Sequence, residues 1–340
     1  MPFSAIAFTG WQNLRDKGSW FEAPGALQLA LAQSAIAFDR PAGRLVAGDL
    51  GTRTLIGALD AYGALSRPLQ QRGLYKACRL VGSVAWSGRT ATIAIGPDAQ
   101  VSFPASDPYW NRMLLRSYDH EPEMARLLRL LASVDYGFVD CGANIGYWSV
   151  FAASSVGGGK PVLAVEASAP TYGQLVANTA PHAGLIKTFH RAILDRSGIE
   201  VSLNAEAHEA RGIAAEGEVS NGETVTSITI DDLLDQQGWV ERRLVVKLDV
   251  EGVEREALAG MERALGKGAL VIYEDHGSDP THALTRHILD KRGLTVHLLL
   301  DDRAVPLKRA DELDAYKRDR TKGYNLIALR DASQWPSVAA

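Results

Sequence analysis

Between Pro122 and Val134 the apolar positions keep helical time: Met124, Leu127, Leu128 and Leu131 follow i, i+3, i+4, i+7, with Glu123, Arg126 and Arg129 opposite. Such a stripe predicts a helix lying on an apolar sheet. Downstream, short β-prone runs at 138 to 141, 161 to 166, 185 to 193, 243 to 248 and 269 to 273 take turns with helix-like stretches at 145 to 155, 169 to 179, 231 to 236, 252 to 265 and 280 to 291. Strand and helix in alternation predict a parallel sheet with right-handed crossovers. The last runs, 294 to 300 and 323 to 329, flank a polar segment and are expected to pair antiparallel. Residues 196 to 227 break the rhythm and read as a β-rich excursion over the sheet edge.

Ahead of this alternation the texture differs. Helix-like stretches near 23 to 38 and 50 to 77 precede a hairpin, Thr90 to Ile95 and Gln100 to Phe103, turned at Gly96-Pro97-Asp98. This predicts an N-terminal α+β appendage over residues 1–115 and an α/β domain over residues 116–340.

The chain has 340 residues, 46% hydrophobic and 22% charged, enough to bury a full core. Its 36 basic and 40 acidic residues give a net charge of −4, so no global field draws it to nucleic acid or an anionic membrane, although a local patch stays open. Cys78 and Cys141 lack metal-like spacing, and the expected compartment is a reducing cytoplasm. The first residues show no secretory pattern. The apolar stretch Ala26 to Phe38 falls short of the ~20 residues that span a bilayer, so membrane insertion is not expected. Oligomeric state is not legible.

Chemistry concentrates at strand ends. Phe138 to Gly146, reading FVDCGANIG, joins a buried strand to a helix through a turn containing Gly142 and Gly146. A dinucleotide site asks for a second glycine where this chain has Asn144. Asp140, just before the turn, favours an ammonium or sulfonium over phosphate. S-adenosylmethionine satisfies both conditions, and a nicotinamide-dependent enzyme is the alternative. Glu166 ends the next strand twenty positions after Gly146, the offset at which an acid accepts from ribose hydroxyls, unless it is a solvated strand-end charge.

A second group lies further on. Asp249 and Glu251 follow strand 243 to 248, with Lys247 two residues before Asp249, either as catalytic groups or as an ion cluster. Glu274, Asp275 and His276 end the adjacent strand. His276 is the expected general base, its competing role being a helix cap. Mg²⁺ held by Asp249 and Glu274 is permitted by the oxygen donors, though no loop demands it. Tyr109, Trp110 and Arg112 stand where they can wall an acceptor pocket or pack on the core.

With these residues in view, the chain from about Asp107 to Leu329 resembles the FkbM family of S-adenosylmethionine-dependent methyltransferases. The matching blocks are Glu121-Pro122-Glu123; Asp140, Gly142, Ala143, Asn144 and Gly146; Glu166; Thr229, Asp231, Asp232 and Leu233; Lys247, Asp249, Glu251, Gly252 and Glu254; and Glu274, Asp275 and His276. Residues before 100 lie outside the resemblance. It implies a class I methyltransferase Rossmann-like seven-stranded sheet with helices on both faces and the last strand antiparallel. It also implies O-methylation of a hydroxyl on a carbohydrate or natural product, Glu121 among the cofactor-binding residues, and Ala192 against the adenine. A non-catalytic member that binds partners through residues 1–115 is the remaining alternative.

Overall fold

The computed structural model describes residues 35–204, 220–320 and 322–335. Its largest sheet has eight strands in the order β14-β13-β15-β12-β11-β5-β6-β7. In chain order these are β5 (Gly137–Cys141), β6 (Val162–Glu166), β7 (Ile186–His190), β11 (Leu244–Leu248), β12 (Leu270–His276), β13 (Thr295–Leu299), β14 (Ala304–Leu307) and β15 (Gly323–Leu329). Strands β7, β6, β5, β11 and β12 run parallel, and β15 enters antiparallel between β12 and β13. This is the class I methyltransferase arrangement expected from sequence, with one addition. The polar segment before β15 folds into β14, an eighth strand antiparallel to β13.

Successive residues of each strand enter opposite cores, as the two-residue period of a strand requires. Phe138, Val162, Val245 and Ile272 pack with α3 (Pro122–Leu130), α4 (Tyr147–Ala153) and α5 (Ala169–Thr179). Val139, Leu163, Val246 and Val271 pack with α6 (Ile230–Gln237), α7 (Glu254–Ala259), α8 (Glu262–Gly266) and α9 (Ala283–Arg292) on the other face. Thr229 starts α6 by accepting from the Asp232 N–H at 3.0 Å, as its position predicts. The stretch read as a single helix at 252 to 265 is two, with Gly260 between them packed so closely on the Leu194 carbonyl that a Cβ would stand 2.3 Å from it.

The N-terminal region carries its own sheet, β2-β1-β3-β4, made of β1 (Ile36–Asp39), β2 (Arg44–Ala47), β3 (Thr90–Gly96) and β4 (Ala99–Pro104). The expected hairpin is present as β3 and β4. The helix expected near 23 to 38 is replaced at residues 36–39 by β1, and residues 1–34 lie outside the described ones. The stretch from 50 to 77 divides into α1 (Leu50–Leu65) and α2 (Leu74–Ala85), separated by Pro68 and a left-handed Gly73. The expected strand 185 to 193 likewise divides. After β7, β8 (Ala192–Ile193) leaves the main sheet to join β10 (Ser220–Ile228) and β9 (Glu200–Asn204), which supplies the β-rich excursion. Among the described residues no helix is long and apolar enough to cross a membrane.

Candidate active site

At the carboxyl ends of β5, β6, β11 and β12 opens a cavity of about 1750 Å³. Most of the sequence-predicted residues line it: Tyr109, Trp110 and Arg112, then Glu121, Gly142, Asn144, Glu166 and Ala192, and Lys247, Asp249, Glu251, Glu274, Asp275 and His276. Asp140 and Gly146 are not among the lining residues. The N-terminal region contributes the turn from Pro68 to Lys76, and the segment before β15 contributes Arg318, Asp319, Arg320 and Lys322.

One face of the sheet turns polar as it approaches this cavity. Asp140 is in register with Lys247 on the neighbouring strand, and Glu274 with Asn325. Asp140 is 1% exposed and Lys247 6%. Ser149 donates to Asp140 Oδ2 at 2.6 Å, whereas Oδ1 is buried with no hydrogen-bond partner among the described residues. Lys247 Nζ donates to Asp249 Oδ2 at 2.7 Å, so the ion pair considered from sequence is present. Asn325 Nδ2 reaches across to Glu123 Oε1 at 3.1 Å. Gly323 leaves the space into which the Glu274 carboxylate projects, 1.9 Å from where a side chain would begin.

The two turn glycines answer to packing. A Cβ at Gly142 would stand 1.8 Å from the Asp249 carbonyl oxygen, and one at Gly146 2.8 Å from Leu175. Their φ angles are +77° and +90°. Asn144 takes φ +50°, a conformation Asn tolerates. Its Oδ1 accepts from the Ile145 N–H at 2.8 Å and from Trp110 Nε1 at 3.3 Å. Its own N–H donates to Glu166 Oε2 at 2.9 Å, and the Ser168 N–H donates to Oε1 at 2.8 Å. Glu166 is thus fixed at the cavity wall by two backbone donors, each oxygen keeping a further lone pair for a ligand hydroxyl.

Burial governs the proton affinities here, because a carboxylate out of water favours its neutral form. It raises the Asp140 and Glu166 carboxyls above the ordinary range and pushes Glu121 up to about 7, with Asp249 and Glu123 adding to the effect on Glu121. Glu274 lies well above the usual value through burial and the nearby Asp249, Glu121 and Glu251 carboxylates. Burial opposes the charge on Lys247, yet Asp249, Asp140 and Glu121 together hold its ammonium above the ordinary lysine range. A lysine ammonium therefore sits among acids whose proton affinity burial has raised.

Sequence reasoning missed His120 and Trp148. His120 is buried against Tyr109, Trp110, Tyr147 and Trp148, with ring centroids 5.0–5.9 Å away. Burial, with Arg112 and Lys247 nearby, pushes the imidazole down to about 3, so the ring is neutral. Trp148 Nε1 donates to Glu121 Oε2 at 3.0 Å. The available signal was the run Asp119-His120-Glu121-Pro122-Glu123, too polar for an ordinary helix entry. Tyr109 and Trp110 do both jobs considered from sequence, packing on one another and lining the cavity.

One expectation needs correction. Asp275 touches the cavity beside Glu274, but alternation along β12 turns its carboxylate to the opposite side of the strand, away from the other acids. There it accepts from Lys317 and Thr285 and lies 3.1 Å from His282 Nδ1. His282 is buried there, 2% exposed, and also meets Asp314 at 3.2 Å. His276 lies exposed at the rim, its Nδ1 2.7 Å from Ser278 Oγ.

A sheet of this strand order with a cavity at its carboxyl edge is the architecture of the class I methyltransferases. Residues 140–294 match the model of the methyltransferase FkbM domain. The hexuronic acid methyltransferase AglP of Haloferax volcanii is 31% identical over 170 residues, which cover 49% of this chain and 67% of that protein. The chain belongs to the FkbM methyltransferase family. Solved structures similar to it include an FkbM methyltransferase from Methylobacillus flagellatus, with a TM-score of 0.38 and 16% identity, covering 66% of this chain and 54% of that one. A precorrin-6y C5,15-methyltransferase from Geobacter metallireducens gives a TM-score of 0.35 and 12% identity, covering 62% of this chain and 88% of that one.

Proposed function

We propose that the protein methylates a hydroxyl of a carbohydrate acceptor, with S-adenosylmethionine as donor. The observation that carries this reading is the two-part cavity. Glu121, Gly142, Asn144, Glu166 and Ala192 line one part; Lys247, Asp249, Glu251 and Glu274 bring four ionisable groups to the other. The named activity of the Haloferax relative supports a sugar acceptor.

In this reading Glu166 accepts from the ribose hydroxyls and Ala192 lies against the adenine. The unpartnered Asp140 Oδ1, just behind the turn, draws the positive end of the methionine moiety. Gly142 and Gly146 shape the turn and Asn144 fixes it, while Glu121 closes the cofactor side from above. Bound S-adenosylmethionine supplies an electrophilic methyl group. The acceptor oxygen attacks that carbon as the carbon–sulfur bond breaks, and the hydroxyl proton must leave to a base within reach. Asp249 is placed for this, with Lys247 orienting its carboxylate and Glu251 and Glu274 facing the acceptor. His276, at the rim with Nδ1 engaged, takes the proton onward to solvent.

Among the described residues no three His, Cys, Asp or Glu side chains come together as metal ligands, and Lys247 already supplies a positive charge beside Asp249. No step is therefore routed through Mg²⁺; activity after dialysis against EDTA tests it. The function is tested by calorimetry with S-adenosylhomocysteine and NAD, followed by transfer of labelled methyl to sugars. Binding of S-adenosylhomocysteine with labelled methyl ether formed is expected. Tight NAD binding without the former would sink the reading.

A further inference from the structure

The outer face of the α1–α2 hairpin is out of character for this acidic protein. Leu50 is 79% exposed, Leu65 83%, Leu69 65%, Leu80 64% and Val84 77%. Helical geometry gathers these residues. On α1, Leu50, Ala58, Ala61 and Leu65 fall on one stripe, opposite the buried Thr52, Ile56, Leu59 and Gly63. On α2, Lys76, Leu80 and Val84 recur every four residues, opposite the buried Leu74, Cys78 and Gly82.

Charge on the hairpin is one-sided. Residues 50–85 contain Arg53, Arg67, Arg72, Lys76 and Arg79 but a single acid, Asp60, in a chain whose net charge is −4. The Asp60 carboxylate accepts from the Ser117 N–H at 2.6 Å, and none of the five cations forms an ion pair among the described residues. Exposed Leu and Val flanked by Arg and Lys, with Asp60 engaged and the capping Asp49 neutralised by Arg89 at 3.0 Å, is the composition of a helix face that lies in a lipid interface. A second copy of the same face would bring like charges together. Nucleic acid gains nothing from the Leu and Val stripe.

We propose that this face docks the enzyme on an anionic lipid surface. The turn joining the two helices, with the first residues of α2, Pro68 to Lys76 in all, is also a wall of the cavity. Docking therefore sets the cavity mouth beside the headgroups. No segment inserts across the bilayer.

The test is flotation of the full-length protein with vesicles of phosphatidylcholine alone, or of phosphatidylcholine mixed with phosphatidylglycerol. Binding to the mixed vesicles is expected, falling as salt is raised, with little binding to the neutral ones. Reversing two charges, Arg53→Glu with Arg79→Glu, is expected to weaken binding roughly tenfold or more. Leu65→Glu with Val84→Glu should do the same, while Lys308→Glu, elsewhere on the surface, leaves it unchanged. Unaltered melting and S-adenosylhomocysteine affinity show that the variants are folded, and salt titration of the unmodified protein needs no variant. The proposal is overturned if the full chain floats with neither vesicle, or if it binds both equally and is indifferent to salt. It is also overturned if light scattering shows a dimer that Leu65→Glu dissociates and vesicles leave unbound.

Discussion

Gly142 is held to glycine by a neighbour, because the Asp249 carbonyl occupies the space where a Cβ would start. Gly142→Ala is expected to cost about 2–5 kcal/mol, from overpacking and a left-handed backbone together, read as a lowered denaturation midpoint. Glu121 makes the opposite kind of prediction. Its folded-state value, about 7, lies above the ordinary 4.5. The folded protein then binds the proton more tightly, so the contribution of Glu121 to stability is fully present below pH 4.5 and is lost as pH rises through 7. Glu121→Gln should therefore melt with the parent at low pH and above it at pH 8, by at most about 3 kcal/mol. Equal melting at both pH values would refute the assignment. At Asp249, the proposed base role predicts that Asp249→Asn lowers turnover by roughly 10²–10⁴ with S-adenosylhomocysteine affinity nearly unchanged. A variant of normal turnover would remove that role. The carboxylates and Lys247 were legible in the sequence because charge at the end of an apolar strand is conspicuous. His120 was not, because its partners come from two separate segments, 109–110 and 147–148.

Between elements, the network beneath β12 fixes a loop rather than performing chemistry. Lys317 is 4% exposed in its side chain and pairs with Asp275, while Gly277 receives the Asp319 and Lys322 carbonyls so closely that a Cβ would stand 2.3–2.6 Å from them. This seats Arg318, Arg320 and Lys322 on the cavity wall. Asp275→Asn leaves the buried Lys317 ammonium without its counter-charge and is expected to destabilise by about 3–5 kcal/mol in urea unfolding. Its effect on labelled methyl transfer should come through loss of folded protein. Element type was predictable wherever a strand or helix was long and strongly periodic, as in α3 and β11. The divisions between α7 and α8, and between β7 and β8, were not, since each is set by a contact or strand pairing distant in sequence.

Across the whole molecule, the boundary near residue 115 is crossed by the core. Phe103, Trp110 and Leu114 share one apolar cluster with Phe138, Phe151 and Ile327. Asn178 on α5 donates to the Ser102 carbonyl at 2.9 Å and accepts from its N–H at 2.9 Å. We propose that the two parts are one folding unit, with the boundary marking a division of labour in the cavity. Residues 116–340 expressed alone are expected to aggregate or to melt well below the full chain; a soluble fragment with the parent melting temperature would show two independent units.

The sequence by itself determined the alternation of strands and helices from residue 122 to 291, the FkbM resemblance and the residues at the strand ends, because these depend on local periodicity and on residue chemistry a few positions apart. Only the tertiary structure decided which of those residues meet. Alternation along β12 parts Glu274 from Asp275, register between β5 and β11 sets Asp140 beside Lys247, and packing encloses His120 among four aromatic rings. It also decided that the α1–α2 hairpin turns a leucine and valine stripe outward, since which face of a helix is left uncovered depends on where every other element packs.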